Sequence, residues 1–222
     1  MVQRLWGHDP EVVCITEGLV DPPPELGGHW ISADPDYGYS QPGNRRKVKL
    51  WSRSSWSSVD RVGSTPMPGG RFVSGTTATS IGPVTFLGVC IPWRDAHVRT
   101  GRKDRSGWED HSAYLMGLKG LLTQRRRQSP LVVLGDFNQR MPRRNQPKRV
   151  FRLLEEATTE LVWATAGAVP GLEQPVIDHL VHSPDLRAMK VQGLDSRDEM
   201  GNPLSDHPGI VIDMATEGVD SK

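Results

Sequence analysis

The chain has 222 residues, 36% of them hydrophobic and 24% charged, with a formal net charge of +1. That composition supports a packed core, argues against wholesale disorder, and excludes a protein that grips polyanions by bulk charge alone. Its two cysteines, Cys14 and Cys90, each sit in an apolar run, which indicates small buried hydrophobes and neither a disulfide framework nor a thiolate zinc site. No apolar run approaches membrane-spanning length and the N-terminus is no signal peptide, so a reduced, soluble, cytoplasmic protein is expected. The length suits one domain over residues 1–222, and Gly 23 and Pro 18 suit many short strands and loops better than a helical bundle.

In chain order, Val2, Leu5 and Trp6 have helical spacing, and His8-Asp9-Pro10 breaks that helix. Val12-Val13-Cys14-Ile15 reads as a buried strand ending in Glu17-Gly18. Residues 19–46 are loop-rich, with Pro22-Pro23-Pro24 and a short extended piece, His29 to Ser32. Residues 47–51 alternate like a half-buried strand, and strands are also expected at residues 56–59, 71–74 and 84–91, as an antiparallel meander. The last of these stops in Pro92-Trp93-Arg94-Asp95. Residues 94–106 hold Arg94, Arg99, Arg102, Lys103 and Arg105, a pattern that suits a solvated basic loop and a phosphate-facing loop equally. Residues 106–127 read as a helix with an apolar stripe of Tyr114, Leu115, Leu118, Leu121 and Leu122, capped by Ser106 or Asp110. Arg125-Arg126-Arg127 closes it favourably for the helix dipole.

Leu131 to Leu134 then reads as a strand buried on both faces. It runs into Gly135-Asp136-Phe137-Asn138. In extended backbone, positions two apart share a side, so Asp136 and Asn138 are expected to project together from the strand's end. A second basic loop follows at 142–149, and a helix at 150–158. Short strands are expected at 161–163, 175–182, 190–194 and 209–212, with a polar, frayed tail from about 215. Glu17, Asp136, Asn138, Asp178, Asp206 and His207 all adjoin core strands. Oxygen ligands with an imidazole and no thiolate cluster suit magnesium or manganese better than zinc. The sequence holds no phosphate-cradling Gly-rich lysine loop and no Gly-x-Ser-x-Gly elbow.

Ile15-Thr16-Glu17, Gly135-Asp136-Phe137-Asn138, Ile177-Asp178-His179-Leu180 and Ser205-Asp206-His207-Pro208 occur in that order. Together they resemble the motif set of the endonuclease/exonuclease/phosphatase superfamily, over about residues 9–214. The resemblance implies an α/β fold: a two-sheet sandwich of mainly antiparallel strands flanked by helices, as in deoxyribonuclease I. It implies in-line attack of water on a phosphate ester, with Mg or Mn as cofactor. Glu17 resembles the metal-binding glutamate, and Asp206 a further acid near the metal. Asp136 and Asn138 resemble the pair that positions the attacking water and scissile phosphate. Asp178 resembles the acid that orients the catalytic histidine, and His207 that histidine. His179 should face away from Asp178's side, and His111 and His182 should pack or decorate surfaces.

Two departures from that pattern stand out. The family's first strand, which ends in an active-site Asn, has no counterpart, and its absence should expose backbone donors and apolar surface, lowering stability or inviting another chain. Cys90 stands where the family places a Tyr or His against the phosphate; Arg94 is the best replacement, with Trp93 and His97 beside it as further substrate-binding candidates. A metal-dependent phosphodiesterase, most naturally a nuclease, is the leading expectation, with a phosphate-ester substrate, nucleic acid foremost, no membrane and no obligate protein partner. A phosphatase or phospholipase on a small phosphorylated substrate is the enzymatic alternative. A catalytically weak member that binds nucleic acid or protein is the alternative of another class.

Overall fold

The computed structural model describes residues 2–19, 27–39, 44–125 and 130–218. Expectations that fall on Pro22-Pro23-Pro24, Arg126 and Arg127 lie outside them. The elements are α1 (Val2–Trp6), β1 (Val12–Leu19), β2 (His29–Ser32), β3 (Arg45–Ser52), β4 (Ser57–Asp60), β5 (Phe72–Thr79), β6 (Gly82–Cys90), α2 (Glu109–Arg125), β7 (Leu131–Asp136), α3 (Lys148–Ala157), β8 (Val162–Trp163), β9 (Asp178–His182), β10 (Leu186–Leu194) and β11 (Gly209–Thr216). The strands form a six-stranded sheet in the order β4-β5-β6-β7-β9-β8, a three-stranded sheet β1-β3-β2 and a two-stranded ribbon β10-β11. Every pairing is antiparallel except β6 with β7. The expected meander is therefore real only from β4 to β6, and β1 to β3 make a sheet of their own.

The central sheet is covered on both faces, which is why its strands read as continuous apolar runs. One face, through Phe72, Leu87, Val89, Leu131 and Val133, packs on Tyr114, Leu115, Leu118, Leu121 and Leu122 of α2 and on Leu154 of α3. The other face, through Val73, Cys90, Phe86 and Leu134, packs on Ile31, Val48 and Leu50 of the three-stranded sheet. Further along that same face, Val84 and Val132 meet Leu186 and Met214 of the ribbon. The expected two-sheet sandwich flanked by helices is what forms. On the outer side, Trp6 of α1 lies against Trp30 and Trp51.

Helix α2 starts at Glu109, later than its polar flank suggested, because Trp108 takes φ 70°, outside the helical region; Ser106 N and Oγ both donate to Glu109 Oε2 across that turn. The tail differs from expectation as well. Ala215 and Thr216 are paired with Arg187 and Leu186, so β11 continues beyond the point where fraying was expected.

The second sheet layer is split. Among the described residues, strand β1 pairs only with β3, and β11 only with β10. Between them runs a groove of about 600 Å³ whose walls are Val12 to Thr16 on one side and Pro208 to Met214 on the other. Its floor is Val84, Phe86, Val132, Leu134 and Leu180 of the central sheet, and its far end reaches Gly135, Asp178 and His207. The edges of β1 and β11 face this trough over an apolar floor.

Candidate active site

Asp136 is the last residue of β7 and is 5% exposed. Gly135, just before it, has φ 132°, and a Cβ there would penetrate the Val89 carbonyl oxygen. Glycine lets β7 press against β6 and turn Asp136 into the space between the sheets. Asn138 does not project alongside Asp136 as an extended chain would have it. The strand has ended, Asn138 takes φ 51°, and its side chain folds back. Its backbone N–H donates to Asp136 Oδ1 at 2.8 Å, and its Nδ2 donates to Asp136 Oδ2 at 2.8 Å and to the Ile91 carbonyl at 2.9 Å. Asparagine tolerates this left-handed conformation better than most residues.

Asp178 opens β9 directly opposite Asp136. His207, in the loop before β11, places Nδ1 2.8 Å from Asp178 Oδ2. That contact is the main reason the imidazole is pushed up to about 9, against the opposing effect of burial, so it is an imidazolium at neutral pH. Beyond this ion pair, Asp178 Oδ2 has no hydrogen-bond partner among the described residues. Asp136 moves the other way from an ordinary carboxyl. Burial pushes its proton affinity up, the Asp178 carboxylate pushes it further, and His207 partly offsets both.

Ligand atoms of Asp136, Asp178 and His207 lie within 4.8 Å of one another. Since His207 is paired and protonated, its nitrogens are donors, and the metal-binding capacity of the cluster rests on its carboxylates. Glu17 also bears on Asp136, raising its proton affinity. It adopts φ 52° within β1, a costly conformation for a non-glycine residue, and holds Lys47 Nζ at 2.6 Å. Asp206 is exposed beside His207. Neither Glu17 nor Asp206 belongs to the tight group of Asp136, Asp178 and His207. Crowded carboxylates with an unneutralised buried member, and only oxygen donors free, fit a hard divalent cation.

The substrate-binding candidates Arg94, Trp93 and His97 have partners or exposure of their own in this structure. Arg94 is 66% exposed and pairs with Asp95 at 3.5 Å. Trp93 is 48% exposed on the surface. His97 is 1% exposed; its Nε2 meets the Tyr37 carbonyl, its Nδ1 accepts from Arg102 N, and its ring stacks on Tyr39. It ties loops together and has no nitrogen free for a substrate. In the basic loop, Arg102 and Arg105 are engaged by Asp104, Asp110 and Glu109. His179 does face away from Asp178, buried between the Thr165 hydroxyl and the Gln139 carbonyl. His111 and His182 are buried too.

Two residues near the site carry no signal in the sequence. Gln139 reaches back to His111, and its role appears only once α2 and β9 are placed on either side. Arg71 follows two glycines at the start of an ordinary-looking strand, yet it is buried opposite Cys90. Only the pairing register could have found it.

A two-layer sandwich with carboxylates and an imidazolium gathered at one end of its central sheet has the form of a phosphoester hydrolase. The chain belongs to the Endonuclease/Exonuclease/phosphatase family, whose profile matches residues 3–207, and members of that family are hydrolytic enzymes acting on phosphoesters. Solved structures share the fold at low identity. An AP endonuclease from Archaeoglobus fulgidus superimposes with a TM-score of 0.67 at 15% identity, covering 98% of this chain and 93% of the other. A 3′ phosphatase from Neisseria, bound to product DNA hairpin, gives 0.65 at 18% identity, covering 96% and 92%. The human Nocturnin catalytic domain with bound sulfate gives 0.65 at 16% identity, covering 97% and 84%. No curated protein matches the chain by sequence. Among the described residues, no helix is long and apolar enough to cross a membrane.

Proposed function

We propose that this chain is a divalent-metal-dependent phosphodiesterase acting on nucleic acid, with residues 1–222 as one domain. The observation that carries this reading is the His207–Asp178 ion pair set beside the buried Asp136. An imidazolium held by a carboxylate donates to a non-bridging phosphate oxygen and stabilises the charge that develops there. Asp136, buried beside that pair, would position the attacking water. Asn138 holds the Asp136 carboxylate in one orientation. Glu17 and Asp206, with Asp136, would supply the oxygen donors for Mg or Mn, and Glu17 would exchange its Lys47 contact for the ion. The bound cation supplies Lewis-acid neutralisation of the phosphate oxygens.

The test is hydrolysis by purified protein, with magnesium or manganese, of plasmid, single-stranded DNA, RNA, abasic duplex and bis-p-nitrophenyl phosphate. Polynucleotide cleavage is expected, falling about 10²–10⁴-fold in His207→Ala. Hydrolysis of only the small ester would transfer the reading to a phosphatase, towards which the internal neutralisation of Arg102 and Arg105 leans. No hydrolysis of anything, with unchanged polynucleotide binding by His207→Ala, would make the chain a binding protein.

A further inference from the structure

Four residues stand in one row across the central sheet. Asp178 is opposite Asp136, Asp136 is opposite Cys90, and the Cys90 N–H donates to the Arg71 carbonyl, extending the β5–β6 register by one. Directly opposite residues share a face. Arg71 therefore points into the same inter-sheet space as the site carboxylates, its backbone about 10 Å from that of Asp136 by two strand spacings.

Arg71 is 2% exposed. Its Nη1 lies 3.5 Å from the Cys90 carbonyl oxygen and 4.0 Å from Cys90 Sγ. Its Nε and Nη2 are sealed from solvent and have no hydrogen-bond partner among the described residues. Among the described residues, no carboxylate forms an ion pair with it. Nε and Nη2 lie along one edge of the guanidinium plane, the edge that meets two oxygens of an oxyanion in a fork. A buried charge without a counter-charge is destabilising, and an aliphatic side chain of similar volume is better tolerated there. Folding alone thus gives no reason for arginine here. An anion that arrives from outside does.

We propose that Arg71 is a phosphate-binding residue of this site, taking two non-bridging oxygens of a substrate phosphate on its Nε–Nη2 edge. The inference rests on the phosphoester reading above and assigns to Arg71 the clamp that the sequence had suggested for Arg94. The side chain between the fork and Asp136 is that of Cys90, small and neutral, its thiol pushed up to about 12 by burial. Its only side-chain link to Arg71 is the long Nη1–Sγ contact, and it supplies no counter-charge. The turn at residues 34–38 is built on side-chain contacts, with Asp36 N donating to Asp34 Oδ1 and Gly38 N to Asp36 Oδ1, and its Asp36 carbonyl packs on Gly70, next to Arg71.

The test compares the wild-type chain with Arg71→Met and Arg71→Lys, using inorganic phosphate as the probe. Binding is followed by phosphorus NMR without turnover, and melting temperature is measured in phosphate-free buffer. Arg71→Met should bind phosphate about 10–100-fold more weakly, the loss of a charged bidentate contact. It should also melt at a higher temperature without phosphate. Arg71→Lys, which keeps the charge and loses the fork, should fall between. Wild-type phosphate affinity in both variants, or no phosphate binding by the wild type, overturns the proposal. So does a fall in the phosphate-free melting temperature of Arg71→Met with phosphate affinity retained, which marks a structural arginine. Equal binding of acetate at the same edge overturns the assignment to phosphate. If Arg71-dependent phosphate binding is found while no ester is hydrolysed, the catalytic reading fails and this one stands.

Discussion

Gln139 joins two buried imidazoles behind the site. Its side-chain Nε2 donates to His111 Nε2 at 2.7 Å, and its carbonyl oxygen accepts from His179 Nε2 at 3.0 Å. His111 Nδ1 in turn donates to the Pro92 carbonyl at 2.6 Å, so the ring is a neutral tautomer with both nitrogens used. Burial pushes His111 down to about 4. A folded-state value below the unfolded one means that stability is fully present above about pH 6.5 and lost as pH falls towards 4. The loss is on the order of 3 kcal/mol. Denaturant midpoints between those pH values should fall steeply for the wild type and less steeply for His111→Gln; parallel slopes would remove His111 as the cause. At Asp136 the expectation concerns metal. Magnesium should raise the melting temperature of the wild type and not that of Asp136→Asn, since a ligand that binds only the folded state stabilises it by mass action. An equal rise in both would place the ion elsewhere. Single residues were legible where they adjoined an apolar run, as Asp136, Asp178 and His207 do. Arg71, Gln139 and the folded-back Asn138 were not, because each depends on a partner distant in sequence.

At the scale of elements, β7 shows what a single glycine decides. A Cβ at Gly135 meets backbone, not a side chain that could swing aside, and φ 132° is unfavourable for any other residue. Gly135→Ala should cost more than about 2 kcal/mol by denaturation and lower activity with it, because Asp136 moves with the strand. A near-neutral variant would show that β6 and β7 can slide apart freely. The groove between β1 and β11 gives a second expectation. An extended peptide of alternating threonine and valine, offered in trans, should raise the melting temperature and slow amide exchange along β1 and β11. A proline-interrupted version should do neither, and equal effects of both would sink the idea of a strand-shaped acceptor. Most strands could be located from sequence because the central sheet is buried on both faces. Their order could not. The parallel β6–β7 pairing spans α2, and the division into separate sheets depends on contacts that leave no local pattern.

Taken whole, the molecule is a broad central sheet with helices on one face and two separate pieces of sheet on the other. The site draws on pieces of unequal anchorage. Asp136 and Asp178 are fixed in adjacent strands of the six-stranded sheet. His207 enters from the loop that precedes β11, and among the described residues β11 is hydrogen-bonded to no strand but β10. Side-chain packing through Leu186 and Met214 holds that ribbon to the floor. In ensemble terms, the ribbon is a candidate for opening as a unit at a free energy below that of global unfolding. Such an excursion would carry the imidazolium away from both carboxylates while the rest of the protein stayed native. The fraction of molecules competent for catalysis would then be set by the anchorage of a two-stranded ribbon, and activity would decline on warming before the central sheet melts.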